Sequence, residues 1–468
     1  MHWIKISCIL CMFGCFKDFR PSESFVTNYL TGPWKNFTNE QVNEEIYPVS
    51  TYSYLATLII VFLITDFLRY KPIIILCGLS GIVTFVMIIF GKTVLIFQIL
   101  EFFYGLYFST EVAYYTYIYA KVDKMHYQEV TSHTKAATLF GRSMSGIIAQ
   151  LTTSFDLLDY HQLNYLTVSA NVFATIWAFF LPSVNQSIYF HRASISDGVQ
   201  EKDKGPFDYQ LTTEPTKYRC FTISRTPLFR KIKNAYNLLW KHFLQAYINY
   251  RVVKWSFWWA LATCGYLQVS SYMQLLWIEA VKPYDSEYNG AVDFFYAIIG
   301  TVFCVGKIKL NWNLIGDVML SVFSFLEGVI LVIASYNGNI WYLYGSYIIF
   351  GVIYQTMATI ASFEIAKYIS EDSYGLIFGV NTFFALSAQS LLTFIVVHTL
   401  TLTIQQQFFI YGGYFVVLAA IYILMGVVNI VQHYRSGERF RIWTSDKSLS
   451  AMRNASDVTS SKSEQDGS

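Results

Sequence analysis

The chain has 468 residues, 54% of them hydrophobic, 18% aromatic and only 14% charged. A soluble chain of this length would make two or three domains with charged surfaces, and there are too few charges here to cover them. The formal net charge of +2 carries no signal for nucleic acid, and no nucleic-acid partner is expected.

A bilayer core of about 30 Å takes roughly 20 apolar residues per helix. Runs of that kind fall near 3–19, 52–68, 72–91, 93–120, 131–154 and 163–181, then near 252–278, 290–306, 311–334, 338–363, 375–400 and 408–431. Backbone groups must be satisfied internally in lipid, so the runs are predicted helices, and no alternating pattern suggests a β-barrel. The expected fold is an all-α membrane protein of major-facilitator type, with twelve transmembrane helices in two six-helix halves. The expected divisions are a first half over 1–182, a cytoplasmic central loop over 183–250, a second half over 251–432 and a disordered tail over 433–468.

The first run, Trp3 to Phe16, is long enough for a signal peptide, but no small-residue cleavage site follows, so it reads as a retained span. Its cysteines, Cys8, Cys11 and Cys15, have no neighbouring His and read as helix-packing residues rather than metal ligands. The basic residues set the orientation. With both termini cytoplasmic, the inner loops hold Arg69, Lys71, Lys121, Lys124, Lys307, Lys309 and Lys367, and the central loop and tail add Arg230, Lys231, Lys233, Arg435, Arg439 and Arg441. The outer side holds Lys35, Lys92 and Lys282, with Lys17 and Arg20 counted near the end of the first span. The sequon at Asn36 then lies outside, as glycosylation requires, whereas those at Asn185 and Asn454 lie inside.

Charges within spans mark a pathway by default. On the fourth span, Glu101, Tyr104, Phe108, Glu111 and Tyr115 fall on one stripe at about 100° per residue. Carboxylates and ring faces together suit an organic cation; the alternative is a pair of buried carboxylates held by tyrosine hydroxyls. Arg142 reads either as a neutraliser of a span-four carboxylate or as a substrate ligand. Asp293 reads as a helix cap or a site residue, Asp317 as a site residue or an inner-end charge, and Glu327 stays unassigned. Asp66 and Arg69, in the run Asp66-Phe67-Leu68-Arg69-Tyr70-Lys71, are candidates for a gate or hinge. No Walker loop, HExxH or Gly-x-Ser-x-Gly occurs, so no enzyme, metal or cofactor is expected.

Several runs resemble solute carrier family 19, the reduced folate carriers and thiamine transporters. They include Arg20-Pro21-Ser22-Glu23-Ser24-Phe25, Gly32-Pro33-Trp34-Lys35-Asn36-Phe37-Thr38, Tyr52-Ser53-Tyr54-Leu55, Glu111-Val112-Ala113-Tyr114-Tyr115, Tyr288-Asn289-Gly290-Ala291-Val292 and Phe378-Gly379-Val380-Asn381-Thr382-Phe383. The resemblance spans about 5–435 apart from the central loop. It implies that three basic positions of folate carriers are held here by Glu111, Gly351 and Gln389. It carries a thiamine site onto Glu23, Glu101, Tyr104, Asn289 and Asp317, with two flanking aromatic positions replaced by Ser50 and Arg142. The expected function is a plasma-membrane vitamin transporter working by alternating access, with a thiamine-like cation favoured. A reduced-folate or folate-like carrier, or a non-transporting receptor on the same scaffold, is the alternative. The expected partners are the vitamin and membrane lipid, and a homo-oligomer is compatible with the sequence.

Overall fold

Each apolar run forms helix, and no strand occurs among the described residues of the computed structural model, which are 3–122, 126–184, 228–281, 287–305, 312–369 and 373–435. The first segment is discontinuous. Helix α1 (Trp3–Lys17) gives way to a 3-10 turn (Pro21–Phe25) and then to α2 (Val26–Thr31). Fifteen helical residues rise only about 22 Å, too short to cross the hydrocarbon core unaided. Pro21 stops α1 because its ring cannot continue the helix ladder and biases Arg20 away from helical backbone; Arg20 sits at φ −130°, ψ 70°. The first span therefore continues past residue 19 to Thr31.

A π-turn (Gln41–Ile46) leads into α3 (Tyr47–Thr65), followed by α4 (Lys71–Phe90), α5 (Val94–Lys121), α6 (Tyr127–Ser154) and α7 (Tyr160–Phe179). After α8 (Leu228–Tyr247) come α9 (Tyr250–Ala280), α10 (Asn289–Val305), α11 (Trp312–Tyr336), α12 (Ile340–Ala366), α13 (Tyr374–Thr393) with its π-turn (Phe394–Thr399), and α14 (Ile404–Arg435). Among the described residues, six segments precede α8 and six follow it. Some helix starts carry side-chain caps: Asp159 and Gln162 form a reciprocal box at α7, and Asn249 and Asn339 cap α9 and α12. Six of the helices, starting with Gln41–Thr65 and Lys71–Phe90, are long and apolar enough to cross a membrane by composition alone. The others include α5 and α6, whose polar stripes turn inward. The central loop lies outside the described residues over 185–227; its end, α8, docks through the Tyr247 hydroxyl, which donates to Asn381 Oδ1 at 2.7 Å.

The two sets of six meet most closely where α6 crosses α10. A methyl group at Gly146 would lie 2.6 Å from the Gly290 carbonyl oxygen, so only hydrogen fits there. Around this crossing, at the end that carries Asn36, Gln150 donates to the Glu287 carbonyl and accepts from the Ala291 amide, and the Tyr160 hydroxyl donates to Glu287 at 2.6 Å. At the opposite end, the α3–α4 turn places Arg69 and Tyr70 at φ 62° and 65°, a left-handed backbone that costs about 1 kcal/mol or more for each such residue. Tyr70 anchors the turn by donating to Asp66 Oδ1 at 2.5 Å, and an open cleft of about 430 Å³ beside it is lined by Arg69, Lys71, Ile75 and Ser183.

Candidate substrate site

The break in the first span gathers the charges. Lys17 and Arg20, counted with the outer loops on sequence grounds, are 1% and 6% exposed. Lys17 Nζ lies 2.8 Å from Glu111 Oε1 and 3.5 Å from Asp18 Oδ1. Arg20 Nη1 lies 2.5 Å from Glu23 Oε1, and its guanidinium packs over the rings of Tyr107 and Phe108. Hydrogen-bond partners replace those the broken helix gives up. The Tyr107 hydroxyl donates to the Lys17 carbonyl at 2.8 Å, the Arg20 amide donates to Ser145 Oγ, and the Ser22 amide donates to Thr167 Oγ1. The sequence could have signalled this: two basic residues beside a proline, at the end of a run too short to span.

The stripe on α5 divides. Tyr104 donates to Glu23 Oε1 at 2.8 Å and packs edge-on to Phe108, with centroids 4.7 Å apart; Tyr54 closes the same wall at 5.8 Å from Phe108. Glu101, one turn away, is 7% exposed, with the Ser50 hydroxyl beside its carboxyl. Glu111 is occupied by Lys17 rather than standing as a second unneutralised carboxylate. Tyr115, half-buried, packs on Tyr114 one turn further on.

The second half reaches the same place from the other side. Gln274 of α9 donates to the Glu23 carbonyl at 2.8 Å and accepts from the Thr27 amide. Ser24 donates to Asp293 Oδ2 at 2.7 Å, so Asp293 holds the first span rather than capping its own helix. Asn289 is 2% exposed; it donates to Asn28 and accepts from the Tyr344 hydroxyl. Arg142 projects from α6 over the Tyr296 ring, its guanidinium carbon 5.5 Å from the centroid. Glu23, Tyr104, Asn289, Asp293 and Arg142 therefore line one seam between the halves.

Two other candidates lie apart from it. Asp317 pairs with Lys254 at 2.6 Å and accepts from Asn429 at 3.0 Å, an arrangement internal to the second half. Glu327 is fully buried on α11, and neither carboxyl oxygen has a hydrogen-bond partner among the described residues. Gly351 lies against the Tyr296 ring, where a methyl group would approach to 2.3 Å, and Gln389 is buried beside Thr51.

A family model described as Reduced folate carrier matches residues 1–410. The chain is 40% identical over 462 residues to thiamine transporter 1 of Homo sapiens, covering 93% of this chain and 92% of that one. It is 33% identical over 457 residues to the reduced folate transporter of Homo sapiens, covering 94% and 75%. Its fold is similar to the crystal structure of a POT family transporter, with a TM-score of 0.61 at 13% identity over 90% of this chain and 96% of that one. On this match and these identities, the chain belongs to the reduced folate carrier family, solute carrier family 19, and has its all-α, twelve-helix architecture of major-facilitator type.

Proposed function

We propose that the chain transports a thiamine-class organic cation by alternating access across the plasma membrane, with both termini cytoplasmic and Asn36 glycosylated outside. The observation that carries this is Glu23. Its carboxylate sits at the break of a discontinuous helix, is aimed by Tyr104 and Arg20, and is linked to the second half through Gln274 and Ser24–Asp293. A cation there meets a carboxylate and three ring faces, those of Tyr54, Tyr104 and Phe108. With the ion-paired carboxylates counted as ionised, Lys17 and Arg20 stand against Asp18, Glu23 and Glu111, two positive charges against three negative, a formal balance of −1. A monocation reduces that excess and a dianionic folate adds to it.

The folate reading is favoured by one observation, the guanidinium of Arg142 at the seam. Lys17 and Arg20 do not add to it, since both already face carboxylates. The test is uptake of radiolabelled thiamine and folate, side by side, into proteoliposomes holding the purified chain. Thiamine uptake in the wild type, cut at least ten-fold by Glu23→Gln through loss of a charge-assisted acceptor, is the expected result. Folate uptake without thiamine uptake would replace this reading. Glycosidase treatment of wild type and Asn36→Gln checks the orientation: only the wild type loses mass if Asn36 is outside.

A further inference from the structure

Arg142 differs from Lys17, Arg20 and Lys254, the buried cations among the described residues. Lys17, Arg20 and Lys254 each face a carboxylate within 3 Å. Arg142 makes no ion pair and no hydrogen bond among the described residues; its contact is the face of Tyr296. The groups around it come from three helices of the opposite half. On α10, Tyr296 lies beneath it and Asp293 lies one turn away, already accepting from Ser24. On α9, Tyr266 donates to or accepts from the Tyr296 hydroxyl at 2.8 Å. On α12, Gln355 donates to the same hydroxyl at 2.7 Å, Tyr354 stacks on Tyr266 with centroids 4.0 Å apart, and Tyr347 packs beside Tyr296 at 5.9 Å. The Tyr296 hydroxyl is thus held from two sides, and the guanidinium lies over its ring.

A half-buried guanidinium with five donors and no acceptor is costly to maintain. Its planar fork matches a phosphate or carboxylate in bidentate geometry. The surrounding tyrosines offer ring faces and hydroxyls, and the Asp293 carboxylate, engaged by Ser24, acts on it electrostatically without forming an ion pair among the described residues. Asp293 connects this lobe to the carboxylate lobe: its partner Ser24 is next to Glu23, and it precedes Tyr296 by one helical turn, about 5 Å along the axis. The Ser24–Asp293 contact thus places the two lobes along one seam.

We propose that Arg142 and Tyr296 form an anion-recognition subsite, so that the preferred substrate is bipolar: an organic cation that carries a phosphate or carboxylate at its other end. This rests on the proposed cation site at Glu23 and refines the substrate that site accepts. Unmodified thiamine fills the carboxylate lobe and leaves Arg142 unsatisfied. A monophosphate ester on its hydroxyethyl arm fills both.

The experiment compares inhibition of radiolabelled thiamine uptake by thiamine, by thiamine monophosphate and by the thiamine analogue with a carboxylate in place of the hydroxymethyl group, using the full chain in proteoliposomes. The phosphate ester is expected to bind the wild type at least ten-fold tighter than thiamine, and the ranking of ester against carboxylate assigns the anion. Arg142→Gln is expected to weaken the ester at least ten-fold and to strengthen thiamine, so the preference reverses; Arg142→Lys, which keeps charge but loses the fork, falls between. Equal loss for both ligands in Arg142→Gln, or a wild type that binds thiamine at least as tightly as both anionic derivatives, overturns the subsite and leaves the cation site standing. A correctly inserted wild type that takes up neither thiamine nor its ester overturns the cation site itself. If Arg142→Gln fails to insert, the wild-type ranking alone decides.

Discussion

Glu111 and Lys17 allow the sharpest separation between a substrate ligand and a structural charge. Their 2.8 Å contact corresponds to a gross attraction of about 6 kcal/mol at an effective dielectric of 20, much of it offset by the desolvation of both ions. Removing one member of such a pair exposes the uncompensated cost of the other, about 3–5 kcal/mol when burial is complete. The two single substitutions are not equivalent. Glu111→Gln strands Lys17, which is 1% exposed and keeps Asp18 at 3.5 Å and the Tyr107 ring at 5.1 Å. Lys17→Met strands Glu111, whose side chain is 21% exposed and can draw on solvent. Glu111→Gln should therefore lose more, and for a chain of this length 3–5 kcal/mol corresponds to about 3–5 °C by the per-residue unfolding entropy of globular proteins. The double variant should regain most of the loss, because neither charge is left alone. Thermal denaturation of the purified protein followed by tryptophan fluorescence measures all four species. Losses that simply add in the double variant, or a Glu111→Gln protein that loses uptake at an unchanged midpoint, would refute the pairing and restore Glu111 as a direct ligand.

Three further outcomes follow from the packing. Gly146→Val should abolish uptake while surface expression holds, since even its first carbon would lie 2.6 Å from the Gly290 carbonyl and would wedge α6 from α10; normal uptake would mean that this crossing never closes in the cycle. Asp317→Asn should lower the melting midpoint by leaving Lys254 buried and unpaired, with recovery in Lys254→Met/Asp317→Asn; reduced uptake at an unchanged midpoint would instead make Asp317 a substrate ligand. Glu327→Leu should raise the midpoint, because it removes two buried oxygens that have no hydrogen-bond partner among the described residues, a gain of about 1–3 kcal/mol before any packing change; a clear fall would mean that the carboxyl is satisfied in the working protein.

The helices were legible because lipid leaves the backbone few choices: length and hydropathy place α3, α4 and α11 to α14 almost by themselves. Glu101, Tyr104 and Glu111 could be assigned to one face because helical periodicity is insensitive to tertiary context. What periodicity cannot supply is the partner. The Glu111–Lys17 contact joins residues 94 positions apart across a helix break, and Asp317 meets Lys254 across two helices. Counting basic residues by loop failed at Lys17 and Arg20 for a related reason. The rule assumes that a charge next to an apolar run lies at the membrane surface, whereas the first span continues to Thr31 and carries both charges into the bundle. Asp293 was ambiguous because a capping role and a cross-helix role require the same residue near the same helix start; the Ser24 contact distinguishes them.

The discontinuity in the first span connects charge placement to motion. A continuous helix satisfies its own backbone and needs nothing from its neighbours. A broken one must borrow partners, and here they come from α5, α6 and α7 through Tyr107, Ser145 and Thr167. Those bonds tie the break, from Lys17 to Ser22, to the first half, while Gln274 and Asp293 tie Glu23 and Ser24 of the turn to the second. Glu23 lies in that turn, so rocking of one half against the other must stretch or exchange its contacts, and on the proposed reading a cation at Glu23 changes which set is favoured. A ligand shifts such an equilibrium only through its differential affinity for the two arrangements. The segment best placed to provide that difference is the short turn that contacts both halves.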